Sequence, residues 1–357
     1  MNKKAFARKI AEWYQEHKRQ LPWRETTDPY RIWLSEIILQ QTRVAQGLPY
    51  YSRFIKRFPD VEALARAGEQ EILRLWQGLG YYTRARNLHR CAKLIVSQNQ
   101  GKFPDNFIDL QKLPGIGTYT AAAIASLAFH EAVAAVDGNV YRVLARVFGE
   151  DHDIASKEGR DFFFRKAQSL VPADFPDIFN QAMMEFGALH CLPKNPMCDD
   201  CIFNRQCIAF ANGWQDRLPV KSKKPKVRRR YFYYFVIEQN KKWAMQKREG
   251  KDIWHGLFDF YLVETSRPRK PELLWEADTD LKSLKGKIQF DTIPVLYKHN
   301  LSHQTLFTRF IPVKIPLSDA KKGPFKLKRL VFYSAREINK LPKPVLVSRY
   351  LRERQFL

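Results

Sequence analysis

Residues 113–124 read LPGIGTYTAAAI, and VDGNVYR follows at 136–142. Pro114, Gly115, Ile116 and Gly117 form a tight Gly/Pro turn, and a helix-forming run begins directly after it. Turned backbone N–H groups at a helix start make a ready cradle for phosphate. Asp137 lies only one short helix and a loop further on. The pairing points to DNA held by its backbone while a carboxylate works on a nucleotide.

The charge agrees with a polyanionic partner. Lys and Arg number 61 against 37 Asp and Glu, a formal net charge of +24. That excess suits DNA, RNA or an acidic membrane, and equally a merely basic soluble protein. No apolar stretch is long enough to span a bilayer, so no membrane partner is expected. MNKKAFARKIAEWY at the start lacks the apolar core of a secretory signal. It reads as an amphipathic helix with Phe6, Ile10, Trp13 and Tyr14 near one face. An intracellular protein is the expectation.

At 357 residues and 45% hydrophobic content the chain can build two cores. Residues 1–210 read as mostly helical, within a first domain expected over 1–216, with helices expected over about 30–42, 61–78, 84–97, 107–112, 118–130, 138–148, 157–170 and 175–188. Asp28-Pro29 supplies a cap and first-turn proline for the first of these. RLPVKSKKPKVRRR at 217–230 reads as an exposed basic linker. Beyond it YFYYFVIEQ (231–239), KKWAMQKR (241–248), LFDFYLVE (257–264) and TLFTRFIPVKI (305–315) read as strands. Helices are expected near 271–284 and 335–340, giving an α/β domain over 231–357.

Four of the five cysteines crowd into one stretch, as Cys191-x6-Cys198-x2-Cys201-x5-Cys207. An odd number so clustered suits a metal site better than disulfides. Four thiolates hold either zinc or a 4Fe-4S cluster, and ligand chemistry alone does not choose. Cys91 stands apart in a helical stretch and reads as a small buried hydrophobe. Glu36 sits among Ile32, Trp33, Ile37 and Leu39. A carboxylate buried on so apolar a helix titrates upward and can serve as a general acid, whereas a surface glutamate would be unremarked. Asp137 follows AVAAV. Its ordinary role is a helix cap, which fixes the carboxylate and is expected to lower its pKa.

LPGIG-TYT followed by VDGNV resembles the helix-hairpin-helix DNA glycosylase superfamily. Tyr119 with SEIILQQT at 35–42 is similar to its adenine glycosylase branch. The resemblance implies an iron–sulfur cluster on the four cysteines rather than zinc. It implies that Glu36 protonates N7 of a flipped adenine. Asp137 then stabilises positive charge at C1′, with Asn139 and Tyr119 positioning water and the carboxylates. Bifunctional members carry a lysine where Tyr119 stands, and a phenol cannot form a Schiff base. A monofunctional enzyme is therefore expected. Gln41 and Tyr81 would wedge into the vacated stack. Trp23 and Arg24 would line the adenine pocket. Gly115 and Gly117 would bind phosphate, with a monovalent cation at the hairpin.

IWHGLFDFYLVE at 253–264 resembles the Nudix-like C-terminal domain of the same family. The acidic Nudix metal box is absent, so recognition rather than pyrophosphate hydrolysis is expected. LSH at 301–303 resembles the loop that reads 8-oxoguanine, through Ser302 and His303, with Leu301 in place of phenylalanine. The implied function is base excision repair: removal of adenine paired with 8-oxoguanine or guanine in duplex DNA. The implied setting is a monomer at the nucleoid of a bacterial cytoplasm. Two rivals are a thymine or uracil mismatch glycosylase and a non-catalytic damage scanner. Glu36 argues against the first, since pyrimidines have no N7.

Overall fold

The computed structural model describes residues 2–222, 227–250, 252–282, 289–290, 295–314 and 330–355. The helical part runs α1 (Lys3–His17), α2 (Pro29–Leu39), α3 (Val44–Arg57), α4 (Val61–Arg66), α5 (Glu69–Leu75) and α6 (Thr83–Asn99). It continues with α7 (Phe107–Leu110), α8 (Thr118–Phe129), α9 (Gly138–Phe148), α10 (Lys157–Gln168), α11 (Pro176–Leu189) and α12 (Ile208–Ala211). Then follow β1 (Arg228–Gln239), β2 (Lys242–Lys247), β3 (Phe258–Thr265), α13 (Pro271–Ala277), α14 (Thr279–Lys282) and β4 (Gln289–Phe290). The chain closes with β5 (Val295–Asn300), β6 (Gln304–Lys314), β7 (Val331–Ser334), α15 (Ala335–Lys340) and α16 (Val345–Glu353). Among the described residues no helix is long and apolar enough to cross a membrane.

The chain forms two compact units. One comprises Met1–Arg66 with Arg86–Lys223, the other Ala67–Ala85 with Lys224–Leu357. Residues 67–85, which the sequence suggests belong with the helical domain, thus group with the C-terminal part. The helix expected over 61–78 is two, because Gly68 caps a fresh start at Glu69.

In the first unit, Asp28 starts α2 by accepting from Tyr30 N at 2.9 Å, with Pro29 in the first turn. Of the residues from Tyr30 to Ile38 only Arg31 escapes burial, so α2 is an interior helix, apolar nearly all round. α8 packs on α2 and α11, and its Ala121, Ala122, Ala123, Ile124 and Ala125 are all fully buried. α9 is amphipathic and presents Val140, Val143, Leu144 and Val147 to a core shared with Phe6, Phe179 and Phe186. α3 was not foreseen. Gly47 and Pro49 read as breakers, but burial of Tyr51 and Phe54 outweighs their cost.

The run 217–230 is exposed over most of its described residues and tied down near both ends. Leu218 is buried, its carbonyl accepts from Arg146 Nε at 3.1 Å, and Val220 O accepts from Ile154 N at 3.1 Å. One buried leucine and two backbone carbonyls hold 217–222 to the first unit. At the other end β1 already begins at Arg228, and buried Arg230 pairs with Asp252 and Glu264 at 2.6 Å each. Residues 223–226 of that stretch lie outside the described residues.

The second unit is built on a mixed sheet. β1 runs parallel to β6 from Arg228↔Gln304 to Glu238↔Lys314 and antiparallel to β3. β5 pairs with β6, β2 with β3, and β7 with β2, all antiparallel. One face packs Phe235, Ile237 and Ile311 with Trp275 of α13. On the other, Phe310 stacks on Tyr350 of α16 at 4.2 Å. β5, β7 and α16 carry mixed polar patterns and were not foreseen. The expected helix 271–284 is two short ones, and 283–284 lie outside the described residues, as does 315.

Candidate active site

Six of the residues singled out above line one cleft of about 600 Å³ in the first unit: Trp23, Arg24, Glu36, Tyr119, Asp137 and Asn139. That size suits a small organic group such as a nucleobase. Trp23 stands in the turn Pro22–Arg24 and meets Tyr51 edge-on at 5.0 Å.

Glu36 projects from the interior helix α2 and is 8% exposed. Burial raises its pKa to about 7, with hydrogen bonding from Tyr119 and the charge of Arg24 opposing and the nearby Asp137 reinforcing. The Tyr119 hydroxyl also donates to Met184 Sδ at 3.1 Å. One phenolic proton thus has two acceptors in the cleft.

Asp137 caps α9. Its Oδ1 accepts from the N–H of Asn139 at 2.8 Å and of Val140 at 2.9 Å, and Oδ2 accepts from Asn139 Nδ2 at 2.7 Å. The expectation that capping lowers its pKa needs correcting. Burial raises it, and the three hydrogen bonds only partly offset this. Asn139 is itself held, because its Oδ1 accepts from Arg142 at 2.9 Å. Arg142 also donates to Gly187 O at 2.6 Å and, through Nε, to Cys191 O at 2.7 Å.

Arg24 does not stand free in the cleft. Together with Arg19 it grips Glu185 of α11 in two bidentate pairs, with contacts of 2.5–2.8 Å. Burial would raise Glu185, but the two guanidiniums outweigh it and bring the carboxyl down to about 2. Glu185, Arg19, Arg142 and Met184 escaped the sequence reading. Glu185 carried the same signal as Glu36, a carboxylate inside an apolar run (AMMEFG).

The hairpin lies outside this cleft. Gly115 has φ +81°, and a Cβ there would stand 2.7 Å from Asn87 Cβ. Gly117 opens α8 with no side-chain cap, it is exposed with Thr118, and nothing lies within 4 Å of a Cβ built on it. Uncapped N–H groups facing open space suit an anion. Gln41 and Tyr81 are both exposed and both left-handed, with φ 55° and 47°. Such a backbone is uncommon for side chains of this size and marks both as presented tips. Gln41 lies in the first unit and Tyr81 in the second. Ser302 and His303 are exposed at the β5–β6 hairpin tip, 3.2 Å from one another between Oγ and Nδ1.

Cys191, Cys198, Cys201 and Cys207 are free thiols that line one small cavity. N–H groups aim at their sulfurs: Phe203 N at Cys201 and Arg146 at Cys191, each at 3.4 Å. Among the described residues no three His, Cys, Asp or Glu side chains are gathered to hold a metal ion. Burial pushes the Cys201 thiol up to about 12, so deprotonation there calls for a cation. Cys91 is fully buried in α6.

The model of the HhH-GPD superfamily of base excision DNA repair proteins matches residues 34–168, and a NUDIX domain model matches 233–353. The adenine DNA glycosylase of Buchnera aphidicola subsp. Schizaphis graminum (strain Sg) is 35% identical over 343 residues, 95% of this chain and 96% of its own. The chain belongs to the adenine DNA glycosylase family. The rat adenine DNA glycosylase is 42% identical over 223 residues, covering 60% of this chain and 43% of that longer protein. Among solved structures, a thermostable thymine-DNA glycosylase aligns with TM-score 0.54 at 29% identity, over 59% of this chain and 97% of its own. A trapped endonuclease III–DNA covalent intermediate aligns with TM-score 0.52 at 20% identity, a likeness of fold. For a member of the adenine DNA glycosylase family, the cleft between α2, α8, α9 and α11 is the candidate site of base excision, since it gathers Glu36 and Asp137 beside the arginine-paired Glu185.

Proposed function

We propose that this chain is a monofunctional glycosylase that excises adenine mispaired with 8-oxoguanine or guanine. The observation that carries the reading is the pair Glu36 and Asp137 in one cleft, the first able to hold a proton near neutrality. Glu36 donates that proton to N7 of the extruded adenine, so the base departs neutral as the C1′–N9 bond breaks. Asp137, held by Asn139 and two backbone N–H groups, faces the positive charge developing at C1′. Water adds at C1′ with Asn139 and Tyr119 orienting it, and the ionised Glu36 is free to take its proton. With Tyr119 in place of an amine, no Schiff base forms there and the strand stays intact.

In the same reading Trp23 and Arg24 flank the base, and Gln41 and Tyr81 fill the vacated stack. The amides at Gly115 and Gly117 take phosphate, with a monovalent cation beside the hairpin. Ser302 and His303 read 8-oxoguanine from the exposed tip of the β5–β6 hairpin. Cys191, Cys198, Cys201 and Cys207 would hold a 4Fe-4S cluster, which would cross-link the loop. Four thiols around one cavity fit such a group, and the spacing of the cysteines, shared with the resembled family, is what favours it over zinc. The protein acts as a monomer on duplex DNA at the bacterial nucleoid.

Single-turnover assays on an A:8-oxoguanine duplex, with a borohydride trap and T:G and U:G controls, test the reading. Adenine release without a trapped adduct or nick is expected. Release of T or U alone would move the chain to pyrimidine mismatches. Tight binding without release would make it a scanner.

A further inference from the structure

The segment that carries Tyr81 is fastened to the C-terminal helices of its own unit. Gln77 Nε2 donates to Ser348 Oγ of α16 at 3.0 Å, and Gln77 Oε1 accepts from Lys343 N at 3.1 Å. Three residues earlier, Arg74 donates to the carbonyls of Asn339 and Leu341. The receiving turn is itself rigid. Buried Lys343 turns its Nζ back onto Ile338 O at 2.5 Å and Leu341 O at 2.8 Å.

The loop is stiff as well. Gly78, Gly80 and Tyr81 all have positive φ, of 104°, 74° and 47°. Trp76 Nε1 donates to Gly80 O at 3.0 Å, and the Arg84 guanidinium sits 5.1 Å from the Trp76 ring and 5.7 Å from the Tyr81 ring. The result is an exposed aromatic ring, 44% accessible, on a braced tip whose base is pinned at both ends of one amide.

We propose that Gln77 is a positioning residue for base extrusion. By joining the Gly78–Tyr82 loop to α16 it makes the wedge part of the C-terminal unit. Engagement of that unit with the oxidised base then carries the Tyr81 ring into the stack. A side-chain amide suits this joint because it donates and accepts at once and so fixes the loop's angle as well as its distance. The inference rests on the wedge role given to Tyr81 above.

The test follows extrusion by fluorescence of 2-aminopurine placed opposite 8-oxoguanine, for wild type, Gln77→Ala, Ser348→Ala, Ser348→Thr, Tyr81→Ala and the Gln77→Ala/Tyr81→Ala pair. Gln77→Ala and Ser348→Ala are expected to slow extrusion fivefold or more, and Ser348→Thr, which keeps the hydroxyl, to restore it. Affinity for a duplex with an abasic analogue opposite 8-oxoguanine, where no base must leave the stack, is expected to change less than twofold. The double variant is expected to match Tyr81→Ala within twofold. An equal loss on the abasic duplex, or multiplying effects in the double variant, would overturn the positioning role. Ser348 lies half-exposed on a helix, so its variants read the joint even if Gln77→Ala folds poorly. If wild type and Tyr81→Ala extrude alike, the wedge reading itself fails and takes this inference with it. If Tyr81→Ala is slow but Gln77→Ala and Ser348→Ala are not, only the joint is wrong.

Discussion

Glu36 holds its proton because burial on α2 outweighs the help it receives from Tyr119 and Arg24. Its folded pKa of about 7 lies above the ordinary 4.5, so its contribution to stability is complete below pH 4.5 and is lost as pH rises through 7. Glu36→Gln should therefore unfold like wild type near pH 4.5 and become more stable by up to about 3 kcal/mol at pH 8. Denaturant melts at the two pH values measure this, and an equal gap at both would refute it. The same variant should lose about 10²–10⁴-fold in single-turnover excision. For wild type the rate should fall as pH rises through about 7. On the acid side it should rise through the pKa of Asp137, which burial sets above the usual carboxylate range. A flat alkaline limb would remove Glu36 as the acid. Glu36 and Asp137 were legible because each is a carboxylate where apolar context makes one costly. Glu185 was equally anomalous, but its two arginine partners lie 166 and 161 residues away in sequence, so nothing local announced the pair.

At the scale of elements, α9 is the part on which the site depends. Asp137 caps it, its first turn carries Asn139, its later turns carry Arg142 and Arg146, and α11 lies against it at Gly187. A Cβ on Gly187 would come within 2.6 Å of Asn139 Cβ and 3.0 Å of its backbone. Gly187→Ala should then cost about 1–3 kcal/mol of stability by overpacking. It should also slow excision at least tenfold, because Asn139 must shift off Asp137. An excision rate equal to wild type at a temperature where the variant is fully folded would show that Asn139 does not set the carboxylate. Amphipathic and capped helices such as α9 and α10 were legible from periodicity and caps. α3 was not, because Gly47 and Pro49 outweigh its pattern locally and only tertiary burial reveals the helix. β7 and α16 were hidden for the related reason that each is completed by a distant partner, β2 for the one and Phe310 for the other, whereas β5, one arm of the β5–β6 hairpin, was hidden by its mixed polar pattern.

For the whole molecule, the +24 charge sets the binding mode. Duplex affinity should fall by about 10³–10⁵ between roughly 50 and 200 mM salt if six to ten phosphates are contacted. Fluorescence anisotropy over that range checks it, and an unchanged Kd would exclude phosphate contacts as the main source of affinity. Removing residues 231–357 should reduce discrimination between 8-oxoguanine and guanine more than it slows excision from an A:G pair. It should also raise amide exchange in 67–85, since that segment belongs to the C-terminal unit. Equal losses on both pairs would take recognition away from that unit. The two-part plan was legible from the shift in composition after Trp214. The exchange of 67–85 between the parts was not, because Arg74 and Gln77 bond chiefly to backbone and hydroxyl groups that carry no sequence signature.

Apart from the bond of Arg146 to the Cys191 sulfur, Arg142 and Arg146 reach the cysteine loop through its main chain: the carbonyls of Cys191, Leu192 and Pro193. A carbonyl is the same whichever side chain its residue bears. The loop's path is thus held without reference to Lys194, Asp199, Asp200 or Arg205, which lie partly or wholly on the surface. Substitution at those positions would leave these bonds in place and could reverse the charge of the face that the loop shows to solvent, whereas changing the number of residues between cysteines would move the carbonyls themselves. Variation among related chains should accordingly be generous in the loop's chemistry and miserly in its length.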